Sequence, residues 1–305
     1  MPIRRSCAKA LSDSGLRRQE EWSVPERLPI FDNHIHLRPE FQGVQAAKAF
    51  EKAGGTAFLL THMPYEDIPI QRGEDYGTAY EKTLRTADAV RAATTIQVFV
   101  ALGPYPVDLL HLRESVGLAA AMDEMQKGID LAAVHIADQK AVAFGEIGRP
   151  HFPVDADVVT ACNRLLGYAM ERAKELGCAV VLHTEDPTPA TFAEFARIAA
   201  KSGLAPDRVV KHHSTPYTRL EDTHGVVPSI LAKEELVVEA LRGEPRLLLE
   251  TDYIDDPNRP GAVLGPATVP KKTKAWLTKG LLTDAQAWAI HKELPERTYG
   301  IGLNG

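Results

Sequence analysis

Phe31-Asp32-Asn33-His34-Ile35-His36-Leu37 follows the short apolar pair Pro29-Ile30, and together they read as one buried strand. Side chains on a strand alternate between its faces, so His34 and His36 project to the same side. They can share one metal ion if that side opens on a cavity. In isolation the pair is equally well a polar strand end. Its meaning depends on what the later strands bring.

From Leu28 onward a short apolar run alternates with a helical segment to the end of the chain. The strand candidates are Pro29–Asn33, Thr56–Leu60, Ile96–Leu102, Ala141–Ile147, Ala179–His183, Arg208–His212, Gly225–Ile230 and Leu247–Thr251. Most are continuously apolar, as parallel strands covered on both faces are. The helical candidates are Val44–Lys52, Tyr80–Ala93, Leu118–Ala137, Asp157–Leu176, Pro189–Lys201 and Glu234–Leu241. Gly54, Gly177, Gly203 and Gly243 stand where left-handed C-caps are expected, and Asp155 and Thr188 where N-caps are. Eight strands alternating with helices point to an α/β fold of the (β/α)8 TIM-barrel type. No glycine-rich phosphate fingerprint follows the first strand, which counts against an open dinucleotide-binding sheet. Residues 28–305 are read as the barrel domain and 1–27 as an N-terminal extension, in which Leu11, Leu16 and Trp22 could pack a short helix. The longest irregular stretch, Tyr253 to Thr273, follows the last strand on the rim that carries barrel active sites, and includes Asp255, Asp256, Asn258 and Arg259.

A chain of 305 residues with 25% charged side chains and a formal charge of −6 is an ordinary globular chain. The sign of the charge argues against wrapping nucleic acid on a broad basic surface but leaves room for a small basic pocket. Cys7, Cys162 and Cys178 have no metal-ligand spacing, and their odd number suits reduced thiols. Behind Arg4-Arg5 there is no apolar run, so neither a secretory nor a twin-arginine signal is expected. No window reaches membrane-spanning length, and a cytoplasmic location is expected.

The ionisable residues at the strand ends share a chemistry. Strand one gives His34 and His36, strand four Glu146, strand five His183, strand six His212 and His213, and strand eight Asp252. Imidazole and carboxylate are the ligands of zinc, manganese and similar divalent ions. Each residue has an ordinary alternative: Glu146 a cap or ion pair, His183 a buried hydrogen bond, Asp252 a turn cap. Five strand ends converging on one rim is hard to explain by packing, and a buried carboxylate after Leu247-Leu248-Leu249 is costly unless paired or metal-bound.

The series HxH at 34–36, GEIG at 145–148, VVLHTE at 180–185, a later histidine, and LLLETD at 247–252 resembles the TatD family of metal-dependent hydrolases within the amidohydrolase superfamily. The resemblance covers residues 28–305. It implies a TIM barrel with two divalent ions, zinc, manganese or magnesium. It also implies that His34 and His36 bind the first ion and that Glu146 bridges both. His183 and a strand-six histidine would bind the second, while Asp252 completes the first site and handles the proton of the attacking water. Between the two strand-six histidines the expectation is His213, with Lys211 sharing its parity and Val209 below; His212 is then expected to contact a neighbouring helix or a supporting acid, and is counted with Arg38, Arg149 and Lys211 among the substrate-binding candidates. The chain departs from the family pattern at Asn33 and Arg38 around the HxH, at Gly148-Arg149-Pro150-His151-Phe152 after strand four, and at Lys211-His212-His213-Ser214.

No GxSxG elbow is present, so an activated water is the expected nucleophile. Arg38, Arg149 and Lys211 follow strand ends, with His151 near them. As a set they suggest an anionic substrate, a phosphomonoester, phosphodiester or nucleic-acid end, in agreement with the nuclease activity that the resemblance implies. Hydrolysis of a small amide, ester or lactone is the alternative, and a metal-binding scaffold without catalysis ranks below both because Glu146 and Asp252 are present. No interleaved basic and aromatic stripe supports a nucleic-acid-binding module. No membrane partner is expected, and a homo-oligomer is compatible with the composition.

Overall fold

The computed structural model describes residues 27–258 and 264–305. Apart from Arg27, the expected N-terminal extension lies outside the described residues, as do Cys7 and Arg259. The apolar runs form nine parallel strands: β1 (Phe31–His36), β2 (Ala57–Thr61), β3 (Gln97–Leu102), β4 (Ala143–Gly148), β5 (Ala179–His183), β6 (Val209–Lys211), β7 (Val227–Leu231), β8 (Leu248–Glu250) and β9 (Tyr253–Ile254). They pair in the order β8-β7-β6-β5-β4-β3-β2-β1-β9. Only Thr251 and Asp252 separate β8, which pairs with β7, from β9, which pairs with β1. Between them the Asp252 N–H donates to the His34 carbonyl (3.1 Å), so the curled sheet meets its own first strand. This is the anticipated barrel, with its eighth strand in two short pieces.

Inside the ring, Phe31, Leu59, Val181, Val210, Val227 and Leu248 pack with the small residues Ala57, Ala101, Ala143 and Ala179, and Leu294, Tyr299 and Leu303 close the end away from the histidines. The alternate residues, Phe58, Leu60, Val180, Leu182 and Val209, face the helices. Fully burying one such Val, Leu or Phe contributes roughly 1.5–3 kcal/mol, which is why the alternation fixes each strand's rotation.

Two strands break that alternation. The register of β1 shifts between Asp32 and Ile35, and that of β4 between Phe144 and Ile147. Phe31 and Ala143 face the ring's interior, whereas Ile35 and Ile147 join the helix-facing core. The extra residue in each strand is therefore what turns His34, His36 and Glu146 inward at the rim, the use to which bulges beside active sites are put.

The helices are α1 (Val44–Ala53), α2 (Asp75–Ala93), α3 (Asp108–Val116), α4 (Leu118–Ala137), α5 (Ala156–Leu176), α6 (Pro189–Ser202), α7 (Leu220–Thr223), α8 (Glu234–Ala240), α9 (Thr268–Lys279), α10 (Asp284–Trp288) and α11 (Leu294–Tyr299), with a π-helical turn at Ala289–Glu293. Helix α2 starts at Asp75 rather than Tyr80, and α3 was not anticipated. Gly54, Gly177 and Gly203 are left-handed C-caps as expected. Gly243 is not, because α8 ends at Ala240 with a right-handed Leu241. Thr188 accepts the Thr191 N–H as an N-cap. Asp155 holds the N-cap position of α5 without a capping bond, its carboxylate lying 3.3 Å from Arg113 instead. No helix among the described residues is long and apolar enough to cross a membrane.

Candidate metal centre

Glu146 is the hub of the rim. Its Oε1 lies 3.0 Å from His34 Nε2, 3.8 Å from His36 Nε2, 3.4 Å from His183 Nδ1 and 3.0 Å from His212 Nε2. His34 Nε2 and His36 Nε2 stand 3.1 Å apart. Asp252 Oδ1 is 3.8 Å from His36 Nε2. Two overlapping groups of donors result, His34–Glu146–His212 and His34–His36–Asp252, each with its donor atoms within 4.8 Å of one another. Of these residues His36, Glu146, His183, His212 and Asp252 line a cavity of about 570 Å³, which Arg38, Met63, Pro64, Tyr105, His151, His213 and Ile254 also border.

Protonation follows from burial and partners. His36 Nδ1 lies 2.9 Å from the Thr61 carbonyl, which can only accept, so Nδ1 carries the proton and Nε2 offers a lone pair to the centre. Burial, aided by His34, pushes the His36 imidazole down to about 3, and burial lowers His183 as well. Both are thus neutral, the form that ligates a metal. Burial alone would raise Glu146, but His183 and His212 more than reverse it and hold the carboxylate well below its usual range. Burial would lower His212, yet Glu146 and Glu250 lift it to about 10. A proton between His212 and Glu146 thus supplies the positive charge that a cation would bring. Burial raises Asp252, against the pull of His212 and His34. Imidazoles and carboxylates aimed at shared points fit divalent ions of the zinc or manganese type, with the ion taking the place of the His212 proton.

Strand six corrects the choice of histidine. Val210, not Val209, faces the ring, so the inward parity continues to His212. His213 has left the strand with φ +47°, and its N–H donates to Glu250 (2.6 Å) while its ring lines the cavity mouth. Lys211 has the outward parity: it is fully buried, gives Nζ–H to the His212 carbonyl (2.5 Å), and is not among the cavity lining. Arg149 also turns away. Its guanidinium pairs with Glu185 (2.7 Å) and Glu194 (3.0 Å) over the ring of Phe195, so the expected place beside the substrate is overturned. Arg38 does line the cavity, with Nη2 donating to the Pro64 carbonyl (3.2 Å).

Sequence reasoning missed Glu250. It is fully buried, accepts from Ser229 Oγ (2.5 Å) and the His213 N–H, and lies 3.7 Å behind His212 Nδ1. Ser229 in turn accepts from Asn33, which accepts from Tyr299 (2.7 Å), so a polar chain crosses the barrel interior to this acid. The sequence carries the signal: Glu250 comes directly after three leucines, where an acid needs dedicated partners. Asp32 was missed too. It accepts from Thr251 and the His34 N–H, and its burial raises it to about 7.

Residues 31–300 match the family model described as TatD related DNase. An uncharacterized protein of Methanocaldococcus jannaschii is 35% identical over 286 residues, covering 92% of this chain and 99% of that one. Among solved structures, the TatD-like protein of Archaeoglobus fulgidus is similar with a TM-score of 0.57 at 16% identity, covering 89% of this chain and all (100%) of that one. The organophosphorus hydrolase of Deinococcus radiodurans is similar with a TM-score of 0.61 at 17% identity over 90% of this chain and 93% of that one. With the barrel, the histidine-rich rim and a family match over nearly its whole length, this chain belongs to the TatD-related DNase family of metal-dependent hydrolases.

Proposed function

We propose that the chain hydrolyses a phosphoester, a small phosphorylated molecule or a nucleic-acid end, at a centre holding two divalent ions. His34, His36 and Asp252 would hold one ion, and His183 and His212 the other, with Glu146 between them. The chemistry that divalent ions would supply there is a water made nucleophilic at neutral pH and a phosphoryl group relieved of charge. Asp252, whose burial strengthens its hold on a proton, would take a proton from the attacking water and pass it to the leaving oxygen. His36 is held by Thr61, and Glu146 fixes the spacing of the donors around it.

The observation that carries the choice of substrate is Arg38. Its side chain borders the cavity, has no carboxylate partner within 4 Å among the described residues, and leaves Nε without a hydrogen-bond partner. A guanidinium with donors to spare suits a phosphate. Met63, Pro64 and Ile254 on the same wall keep an ester or lactone as the second reading. The test is competition kinetics with manganese or zinc present, using a nucleotide, a neutral lactone and inorganic phosphate. Phosphate should inhibit, Arg38→Ala should raise KM for the phosphoester about tenfold, and Asp252→Asn should lower turnover at least ~10²-fold. Preference for the lactone with no inhibition by phosphate overturns the phosphoester reading.

A further inference from the structure

The loop after β4, Gly148-Arg149-Pro150-His151, is folded onto a single residue, His183. Three contacts tie the two together. The Arg149 N–H donates to the His183 carbonyl (2.8 Å). Gly148 sits at φ +143° where any Cβ would collide with that same carbonyl oxygen, so only glycine lets the loop approach. His151 Nδ1 lies 3.0 Å from His183 Nε2, and Tyr105 Oη stands farther off, 3.4 Å from the same nitrogen. The Arg149 guanidinium, no longer available to a substrate, fastens this loop to Glu185 beyond β5 and to Glu194 on α6.

The tautomer of His183 follows. Its Nδ1 faces Glu146 (3.4 Å) and His212 Nε2 (3.1 Å), so Nδ1 is the nitrogen turned to the centre. The proton then belongs on Nε2, which points at His151. His183 is also less buried than His34, His36 or His212: its side chain is 15% exposed against 0–4% for those three. It is the imidazole of the cluster with most room to turn. The other histidines are backed by the barrel itself, His36 by the Thr61 carbonyl and His212 by Glu250. His183 is backed by loop residues, His151 at 3.0 Å and Tyr105 at 3.4 Å, the nearer being His151.

We infer that His151 is a positioning residue: it accepts the Nε2 proton of His183 and so keeps His183 Nδ1 deprotonated and aimed at the metal centre. This rests on the metal-hydrolase reading for its consequence but not for its geometry. An outer partner of this kind changes metal affinity 10–100-fold on removal. Because His151 is exposed, its replacement leaves the core intact.

The experiment has two arms. In the first, ¹⁵N-correlated NMR of the metal-free protein reads the His183 ring. The wild type should show the Nε2–H tautomer, His151→Ala a mixture of tautomers, and His151→Asn, whose amide oxygen can accept the same proton, the wild-type pattern. In the second, competition with a chelator measures the affinity for Mn²⁺ or Zn²⁺. His151→Ala should weaken one of the two ions about tenfold or more, and His151→Asn should restore it. If His183 keeps one tautomer and both ions keep their affinity in His151→Ala, the inference is overturned. If the wild type binds no divalent ion, the metal-hydrolase reading fails, and the NMR arm alone decides on His151.

Discussion

His212 and His213 show what a single residue's identity can and cannot convey. Imidazoles and acids at strand ends singled out His34, His36, Glu146, His183 and Asp252, which the fold brings together at one rim. The strand-six choice failed because adjacent residues differ only in parity, and parity is set by Val210 packing inside the ring. Arg149 failed for a different reason. A cation at a strand end does not reveal its partners, here Glu185 and Glu194, which come from the next loop and helix. The two histidines make a direct comparison. His212→Ala should lose about one equivalent of bound metal, since its Nε2 is 3.0 Å from Glu146. His213→Ala should leave the metal content unchanged and alter only KM, since His213 lines the cavity and is in neither group of donors. Metal analysis after dialysis checks this, and equal losses in the two variants would contradict the assignment.

At the scale of elements, the alternation of apolar runs and helical segments was enough to give the barrel, since each parallel strand must be covered on both faces. The helices that escaped notice had weak signals. Helix α3 buries only Asp108, Leu109 and Leu112 and is cut from α4 by Gly117. Helix α9 carries Pro270 in its first turn, where proline costs nothing but looks like a loop residue. The long segment after β8 does more than connect. Asp255, almost fully buried, accepts the backbone N–H groups of Arg38 (3.3 Å), Gln42 (3.2 Å) and Gly43 (2.6 Å) and the hydroxyl of Tyr253 (3.2 Å). It thereby holds the β1–α1 loop that carries Arg38 over the cavity. Asp255→Ala orphans those donors, which should cost about 2–3 kcal/mol in urea unfolding. With Arg38 displaced, KM should rise several-fold while kcat falls less. A drop confined to kcat would mean that the loop's position does not govern binding.

For the whole molecule, a net charge of −6 means that any attraction for an anion has to come from the pocket itself, through Arg38 and the ions that the proposed function would place there. The candidate centre also joins the two ends of the chain. β1 supplies His34 and His36, the β8–β9 junction supplies Asp252, and Tyr299 near the C-terminus reaches the same network through Asn33, Ser229 and Glu250. With His34, His36 and Asp252 as its ligands, as proposed, an ion bound there would close the barrel as well as serve the reaction. An ion that binds the folded chain alone adds RT ln(1 + [L]/Kd), about 2.7 kcal/mol at a hundredfold excess over Kd. At roughly 2–4 °C per kcal/mol for a large domain, stripping the metal should lower Tm by about 5–10 °C. The fold itself should survive, because the proton shared by His212 and Glu146 keeps the buried carboxylate paired when no cation is there. Adding back manganese or zinc should restore Tm in the wild type. In Glu146→Gln the hub is neutral, and the recovery should shrink to less than about half. A Tm indifferent to verified removal of the metal would show that the centre contributes nothing to holding β1 against the end of the sheet.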